Sequence, residues 1–222
     1  SLAWGVEWLL VLIQSTGIFS WGIAILTLAL VLKIFLLPLS MLTLNAQRKV
    51  SALKTQLEPK LSAIRANYKG EEAHNRIIAA HKELGISPLF TLRPLFATLI
   101  QIPVLIAVFN ALGEMPQIQG NSFLWIDDLS FPDFVTQLPL TIPFLGNTLN
   151  LLPILMTVVS VTSTLLFRNR EAPANEVKKQ KRNLFVMSAA FLILLYPFPA
   201  SMVLYWTASN ALHIIQQRIL GS

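Results

Sequence analysis

The chain alternates long apolar runs with short segments that carry nearly all of its charge. The first run contains one charged residue, Lys33, and the next two contain none. The last two runs are separated by Pro-Phe-Pro at 197–199, which a straight helix cannot contain. About 20 apolar residues cross the hydrocarbon core of a bilayer, so the pattern predicts five transmembrane helices, the fourth of them short. These predicted spans are 18–44, 94–113, 150–167, 184–196 and 200–220.

Basic residues are concentrated in two of the segments between these runs. Of the 17 Lys and Arg residues, nine lie in 45–93 and six lie in 168–183. The segments 1–17, 114–149 and 197–199 contain none, and the first two of them contain acidic residues. Because loops rich in Lys and Arg stay in the cytoplasm, the pattern predicts an N-terminus outside and a C-terminus in the cytoplasm. A bacterial plasma (inner) membrane is the expected location.

The N-terminal segment 1–17 is too short an apolar stretch to span a bilayer. It places Trp4, Trp8 and Leu12 on one helical face at i, i+4 and i+8, with Glu7 off that face. An amphipathic helix with aromatic residues on its apolar face lies in the membrane interface. The sequence therefore predicts an N-terminal interfacial helix. The segment 114–149 is expected to be an extracytoplasmic loop, with a small hairpin over 141–149.

The cytoplasmic segment 45–93 has the pattern of a helical hairpin. Its first arm repeats apolar residues at intervals of three and four, and a Lys69-Gly70 turn leads to a second arm over 71–84. The apolar seam of the first arm comprises Val50, Leu53, Leu57, Leu61, Ile64 and Tyr68. A solvated spacer explains this pattern fully, and docking of a partner is the alternative.

Composition agrees with a membrane protein and excludes several chemistries. Hydrophobic residues make up 54% of the chain and charged residues 13%, about half of the roughly 25% typical of soluble domains. With no cysteine there is no disulfide, thiolate metal site or thiol nucleophile. The sequence lacks H-E-x-x-H, G-x-S-x-G and a P-loop motif, so no catalytic site, metal or cofactor is predicted. The basic residues follow membrane topology, and no specific nucleic-acid binding is expected.

Lys33 requires an explanation, because a charged side chain inside a span costs about 2.5 to 3.5 kcal/mol on insertion scales. One interpretation is that its ammonium group reaches the cytoplasmic interface along the flexible stem. The other is that it lies in a water-filled cavity within the membrane. Seven residues further on, Ser40 lies on the same helical face.

Polar side chains of other predicted spans favour the cavity. The third span carries hydroxyl groups on one face, and the fifth carries a polar stripe that continues to His213, Gln216 and Gln217. Hydrogen bonds between neighbouring helices would explain any one of these faces. Together they predict a shared hydrophilic groove lined by Lys33, Gln101, Thr157, Ser160, Thr164, Trp206, Ser209 and Asn210.

Several motifs, in this order, resemble the YidC/Oxa/Alb family of membrane protein insertases over almost the whole chain. They are Ser20-Trp21-Gly22, Lys33 through Leu39, Leu57 through Leu61, Ser87-Pro88-Leu89, Leu99 through Pro103, Phe123 through Ser130, and Pro199 with Leu204 through Gln217. The resemblance implies an all-α membrane protein of five transmembrane helices around a hydrophilic groove, with a cytoplasmic helical hairpin. The chain is similar to a compact member without the large extracytoplasmic domain. Lys33 occupies a position at which the family usually has Arg.

The resemblance also implies a function and partners. The groove would accept polar or acidic segments of nascent membrane proteins, whose apolar helices then pass into the lipid bilayer. Candidate partners are the signal recognition particle, its receptor, the ribosome and a general secretory channel. The basic residues expected to dock such partners are Arg48, Lys49, Lys54, Lys60, Arg65 and Lys69.

Two other functions fit the same pattern. A small transporter or channel would also place a charged residue and a polar stripe within the bilayer. The sequence shows no internal repeat that would favour a transporter. An assembly chaperone that holds helices without inserting them is the third interpretation.

Overall fold

The computed structural model describes residues 2–17, 20–83, 99, 101–143, 145–166 and 174–221. Within these ranges the fold is mostly helical, as the apolar periodicity predicts. The helices are α1 (Leu2–Ser15), α2 (Trp21–Phe35), α3 (Leu37–Asn67), α4 (Gly70–Glu83), α5 (Ile102–Glu114), α6 (Leu151–Leu166), α7 (Ala174–Leu195) and α8 (Ala200–Gly221). A short 3-10 turn at Pro116–Ile118 follows α5.

One element departs from the all-α expectation. Strands β1 (Phe134–Ile142) and β2 (Gly146–Asn150) form an antiparallel two-stranded sheet that leads directly into α6. The hairpin predicted over 141–149 is confirmed, but its first strand is longer than predicted. Ile142 pairs with Gly146, so the connection lies at 143–145, and Gly146 has a positive φ of 80°. Glycine adopts this backbone conformation without steric cost.

The chain divides into two compact units, Ser1–Phe35 with Pro103–Ser222 and Leu36–Ile102. In the first unit α8 packs against α2 and α6, α7 packs against α6, and α1 packs against α2. Its core joins α1, α2, α5, α6, α7 and α8 with the loop that follows α5. On α1, Val6 and Leu10 are buried in that core, whereas Trp4, Trp8 and Leu12 are exposed. The apolar stripe predicted from the sequence thus faces away from the protein.

The second unit contains the helical hairpin. Leu57 and Leu61 of α3 pack with Ala80 of α4, supported by Ile64 and Ile77. At the end near the turn, the Arg76 guanidinium lies 3.8 Å from the centre of the Tyr68 ring. At the far end, Lys60 Nζ donates a 2.8 Å hydrogen bond to Glu83 Oε2. These contacts show that α4 runs back along α3, as the predicted hairpin requires. On α4, Ile78 is exposed and does not join this core.

The helices differ in length from the apolar runs that predict them. Among the described residues, no single helix is both long enough and apolar enough to cross a membrane. The run 18–44 is divided between α2 and α3, because a new helix begins at Leu37 with Pro38 in its first turn, a position that proline favours. The short run 184–196, except for its last residue, lies within a longer helix, α7, which begins at Ala174 and ends at Leu195. The five membrane crossings therefore stay a prediction.

A close approach between α2 and the loop that follows α5 gives a test of the packing in the first unit. Gly22 is buried, and a Cβ atom added there would overlap the ring of Phe123. We expect Gly22→Ala to lower the free energy of unfolding in detergent by about 1 to 3 kcal/mol, since overpacked side chains must shift. Gly5→Ala is the matched control, because nothing lies within 4 Å of its added Cβ. The control should be neutral or stabilising by up to about 1 kcal/mol, and equal stability of the two variants would refute the contact.

Candidate functional site

The charged residue of the first predicted span lies beside an imidazole ring of the last. Lys33 is in the final turn of α2, is half-buried, and places its Nζ 3.4 Å from Nδ1 of His213 on α8. An ammonium group only donates hydrogen bonds, so the ring nitrogen is the acceptor. No ion pair links Lys33 to a carboxylate in the described part of the chain. Within the described ranges, the positive charge of Lys33 is therefore held without a paired carboxylate.

Polar residues join α6 to α8 near this pair. Asn210 Nδ2 donates a 2.9 Å hydrogen bond to Ser160 Oγ, which connects the two helices directly. The other predicted hydroxyl groups of α6 bond to their own helix: Thr157 Oγ1 donates to the Pro153 carbonyl at 2.8 Å, and Thr164 Oγ1 donates to the Ser160 carbonyl at 3.1 Å. Such bonds to the preceding turn are common for hydroxyl side chains in helices. Among these three residues of α6, only Ser160 hydrogen-bonds to α8.

The remaining predicted groove residues have different surroundings. Trp206 lies among aromatic rings, 5.7 Å from Phe109 and 5.8 Å from Phe191 between ring centres. Ser209 is half-buried on α8. Gln101 is half-buried in the turn before α5 and belongs to the second compact unit. Trp206 thus contributes aromatic packing to the region that the sequence assigns to a polar surface.

Two residues of the α8 stripe belong with this site although the predicted lining omits them. His213 contacts Lys33, and Gln216 is buried at 6% exposure without a hydrogen bond of good geometry for either side-chain atom among the described residues. With Asn210 they are spaced by three along α8, so they share one side of the helix. The Gln216 side chain lies within hydrogen-bonding reach of the His213 imidazole, so the two residues belong to one polar contact on α8. The spacing of the polar stripe along α8 is the sequence signal that could have assigned His213 and Gln216 to the site.

A second polar cluster fixes the N-terminal end of α6. The Asp133 carboxylate, 2% exposed, accepts hydrogen bonds at its Oδ2 from Trp125 Nε1 at 3.0 Å and from the Leu152 amide at 2.6 Å. Leu152 lies in the first turn of α6, where the helix dipole favours a negative charge. Burial raises the pKa of Asp133 above its ordinary value, although these hydrogen bonds oppose the shift.

The start of α6 is also tied to the end of α7. Asn150 donates from its backbone amide to Tyr196 Oη at 3.0 Å and from its side chain to the Tyr196 carbonyl at 2.9 Å. Tyr196 Oη in turn donates to the Thr148 carbonyl at 2.7 Å. These bonds hold the base of the β-hairpin against the end of α7, and they fix the N-terminal end of α6, the helix that carries Ser160.

The basic residues predicted to dock partners lie on α3 and the following turn. Lys49 and Lys69 are exposed, whereas the side chains of Arg48 and Lys54 lie outside the described residues. Lys60 pairs with Glu83, and its hydrogen bond and charge lower the pKa of that carboxyl. Arg65 Nη1 lies 3.6 Å from Glu58 Oε1. Exposed pairs of this kind contribute little to stability, so both basic residues stay accessible to another partner.

Comparison with known proteins identifies the family. The family model described as 60Kd inner membrane protein matches residues 11–222. The membrane protein insertase YidC of Chlamydia trachomatis is 35% identical over 204 residues, covering 89% of this chain and 25% of the relative. That of Syntrophobacter fumaroxidans is 30% identical over 203 residues, covering 89% of this chain and 34% of the relative. The chain thus spans about a quarter to a third of the length of these relatives.

A solved structure shows the same fold. A crystal structure described as active YidC insertase with the first transmembrane domain resolved is 21% identical, with a TM-score of 0.63. The match covers 96% of this chain and 44% of that one. Family model, curated relatives and fold agree with the resemblance found in the sequence motifs, and the chain belongs to the 60Kd inner membrane protein family, as a YidC-like protein.

Proposed function

We propose that this chain inserts client membrane proteins into the lipid bilayer. The observation that carries the proposal is the half-buried ammonium of Lys33, which lies beside His213 and near the Asn210–Ser160 bond without a carboxylate partner among the described residues. Family membership supports it, because the curated relatives are described as membrane protein insertases. An ammonium group with polar neighbours and no paired carboxylate can bind a carboxylate of an incoming acidic segment.

The proposed mechanism needs no covalent step. Five membrane crossings would surround a hydrophilic groove, and the polar residues within it would shorten the barrier that a polar client segment must cross. Lys33 would attract acidic client residues, and this attraction is stronger in a medium of low dielectric constant than in water. The apolar part of the client would then leave the groove for lipid.

The surrounding elements have roles that follow from the same proposal. We place the chain in a bacterial inner membrane, with its N-terminus outside and its C-terminus in the cytoplasm. The exposed face of α1, with Trp4, Trp8 and Leu12, would lie in the outer interface, where amphipathic indole rings are favoured. The exposed basic residues Lys49 and Lys69 of the cytoplasmic hairpin would dock the signal recognition particle, its receptor or the ribosome.

Reconstitution tests the function itself. The purified chain in liposomes should increase the protease-protected insertion of a single-span client with an acidic outer segment, compared with empty liposomes. A rise in insertion without leakage of a trapped dye would support an insertase. Solute flux without insertion would support a transporter or channel. Binding of the client without its protection would support an assembly chaperone.

A further inference from the structure

The Lys33–His213 contact has a feature that the acidic-client mechanism does not use. The imidazole Nδ1 accepts from Lys33 Nζ at 3.4 Å, so Nδ1 carries no proton, and a neutral ring then has its proton on Nε2. A lysine side chain has a flexible four-carbon stem and can place its ammonium at many positions. The contact on α8 selects one of them.

We propose that His213 is a positioning residue, which holds the Lys33 ammonium at the α2–α8 contact and thereby sets the preference of this protein for acidic client segments. The inference rests on the proposed function. An ammonium group has three donors, so one can remain on the imidazole while the other two bind a client carboxylate. His213 therefore holds the charge in place without competing with the client.

The surroundings of His213 support a fixed position for its ring. α8 packs against both α2 and α6, and one helical turn before His213 the side chain of Asn210 is bonded to Ser160 of α6. One turn after His213, Gln216 is buried. The imidazole is thus carried by a segment of α8 that is held on both sides.

The neighbouring residues of α2 offer Lys33 no comparable side-chain acceptor. The next two residues of α2, Ile34 and Phe35, are 61% and 78% exposed, and their side chains offer no hydrogen-bond acceptor. Without the imidazole the ammonium would be free to turn along its stem toward a more polar region. The charge would then be present in the chain but no longer concentrated at one position.

The experiment measures client preference in liposomes containing the full chain. Preference is the ratio of insertion of an acidic client to insertion of the same client with its carboxylates changed to amides. His213→Phe removes the acceptor and keeps a planar ring, and we expect it to lower the ratio about tenfold, as for loss of one hydrogen bond to a charged group. His213→Gln restores an acceptor and should keep the ratio within about twofold of wild type.

A double substitution separates positioning from general damage. In a Lys33→Met background there is no ammonium to position, so adding His213→Phe should leave the ratio unchanged. A further fall there, or a wild-type ratio in His213→Phe alone, would overturn the inference. If the wild-type chain shows no insertion over empty liposomes, the proposed function fails instead.

Nitrogen-15 NMR of the His213 ring tests the contact even if a variant does not fold. In the wild-type chain the ring should be neutral with an unprotonated Nδ1, and Lys33→Met should shift the Nδ1 resonance. A protonated Nδ1 in the neutral ring, or no change in Lys33→Met, would show that the contact does not form and would overturn the inference independently of any client.

Discussion

Lys33→Ala is expected to reduce the insertion of an acidic client by about tenfold, the effect of losing one hydrogen bond between charged groups. The half-buried ammonium beside His213 is the cation that the described residues place near the polar contact of α6 and α8. The same variant should leave insertion of a client without acidic residues nearly unchanged. Protease protection in liposomes measures both effects.

Two control variants accompany this measurement. Lys33→Arg keeps the positive charge and should retain most of the insertion, although the planar guanidinium cannot occupy the same position as an ammonium. Ile34→Ala alters the neighbouring residue, which is 61% exposed, and should behave as wild type. If Lys33→Ala inserts every client as well as wild type does, attraction of acidic segments is not part of the mechanism.

Asp133→Ala should lower the free energy of unfolding by about 2 to 4 kcal/mol, because it leaves two donors, the buried Leu152 amide and the partly buried Trp125 Nε1, without their acceptor. Denaturant unfolding in detergent, followed by tryptophan fluorescence, measures the change. A loss below about 0.5 kcal/mol would show that these hydrogen bonds do not hold the N-terminal end of α6.

Asp133→Asn gives a second, more specific result. Burial raises the pKa of Asp133, so the folded chain retains a proton at pH values at which the unfolded chain has lost it. This contribution to stability is present below the ordinary carboxyl pKa and is lost as the pH rises through the raised value. The amide variant keeps an acceptor oxygen and cannot ionise. The Asn variant should therefore be at least as stable as wild type at neutral pH. Its free energy of unfolding should not show the decrease that wild type shows as the pH rises through the raised pKa of Asp133.

The sequence predicts the helices well because their signals are local. Apolar runs and spacings of three and four residues mark α1, the α3–α4 hairpin and the helices after the strands, and the packing of Leu57 and Leu61 with Ala80 follows from the same periodicity. The break before α3 was not predicted, because Pro38 lies inside an unbroken apolar run. A proline in the first turn of a new helix and a proline within a kinked one look alike in sequence.

The pairings between distant residues could not be predicted in this way. Asp133 reaches Leu152 across the β-hairpin, Asn150 reaches Tyr196 across two helices, and Lys33 reaches His213 across most of the chain. Each depends on how helices pack, which periodicity does not specify. The polar stripe indicates which side of α8 faces the site. Which residue of the stripe contacts Lys33 depends on the packing of α8 against α2, and the sequence does not specify that packing.

In the described part of the chain, the hydrogen bonds that tie the β-hairpin to α7 lie at its base. Its base is fixed by Asn150 and Tyr196, whereas near the connection Thr141, Ile142 and Asn147 are exposed. A two-stranded sheet has little stability of its own, so its backbone amides near the connection should exchange with solvent long before those at the base. Loop tips of this kind accept extra residues readily, and this is where the chain could lengthen, or carry a reporter group, while α6 and α7 keep their positions.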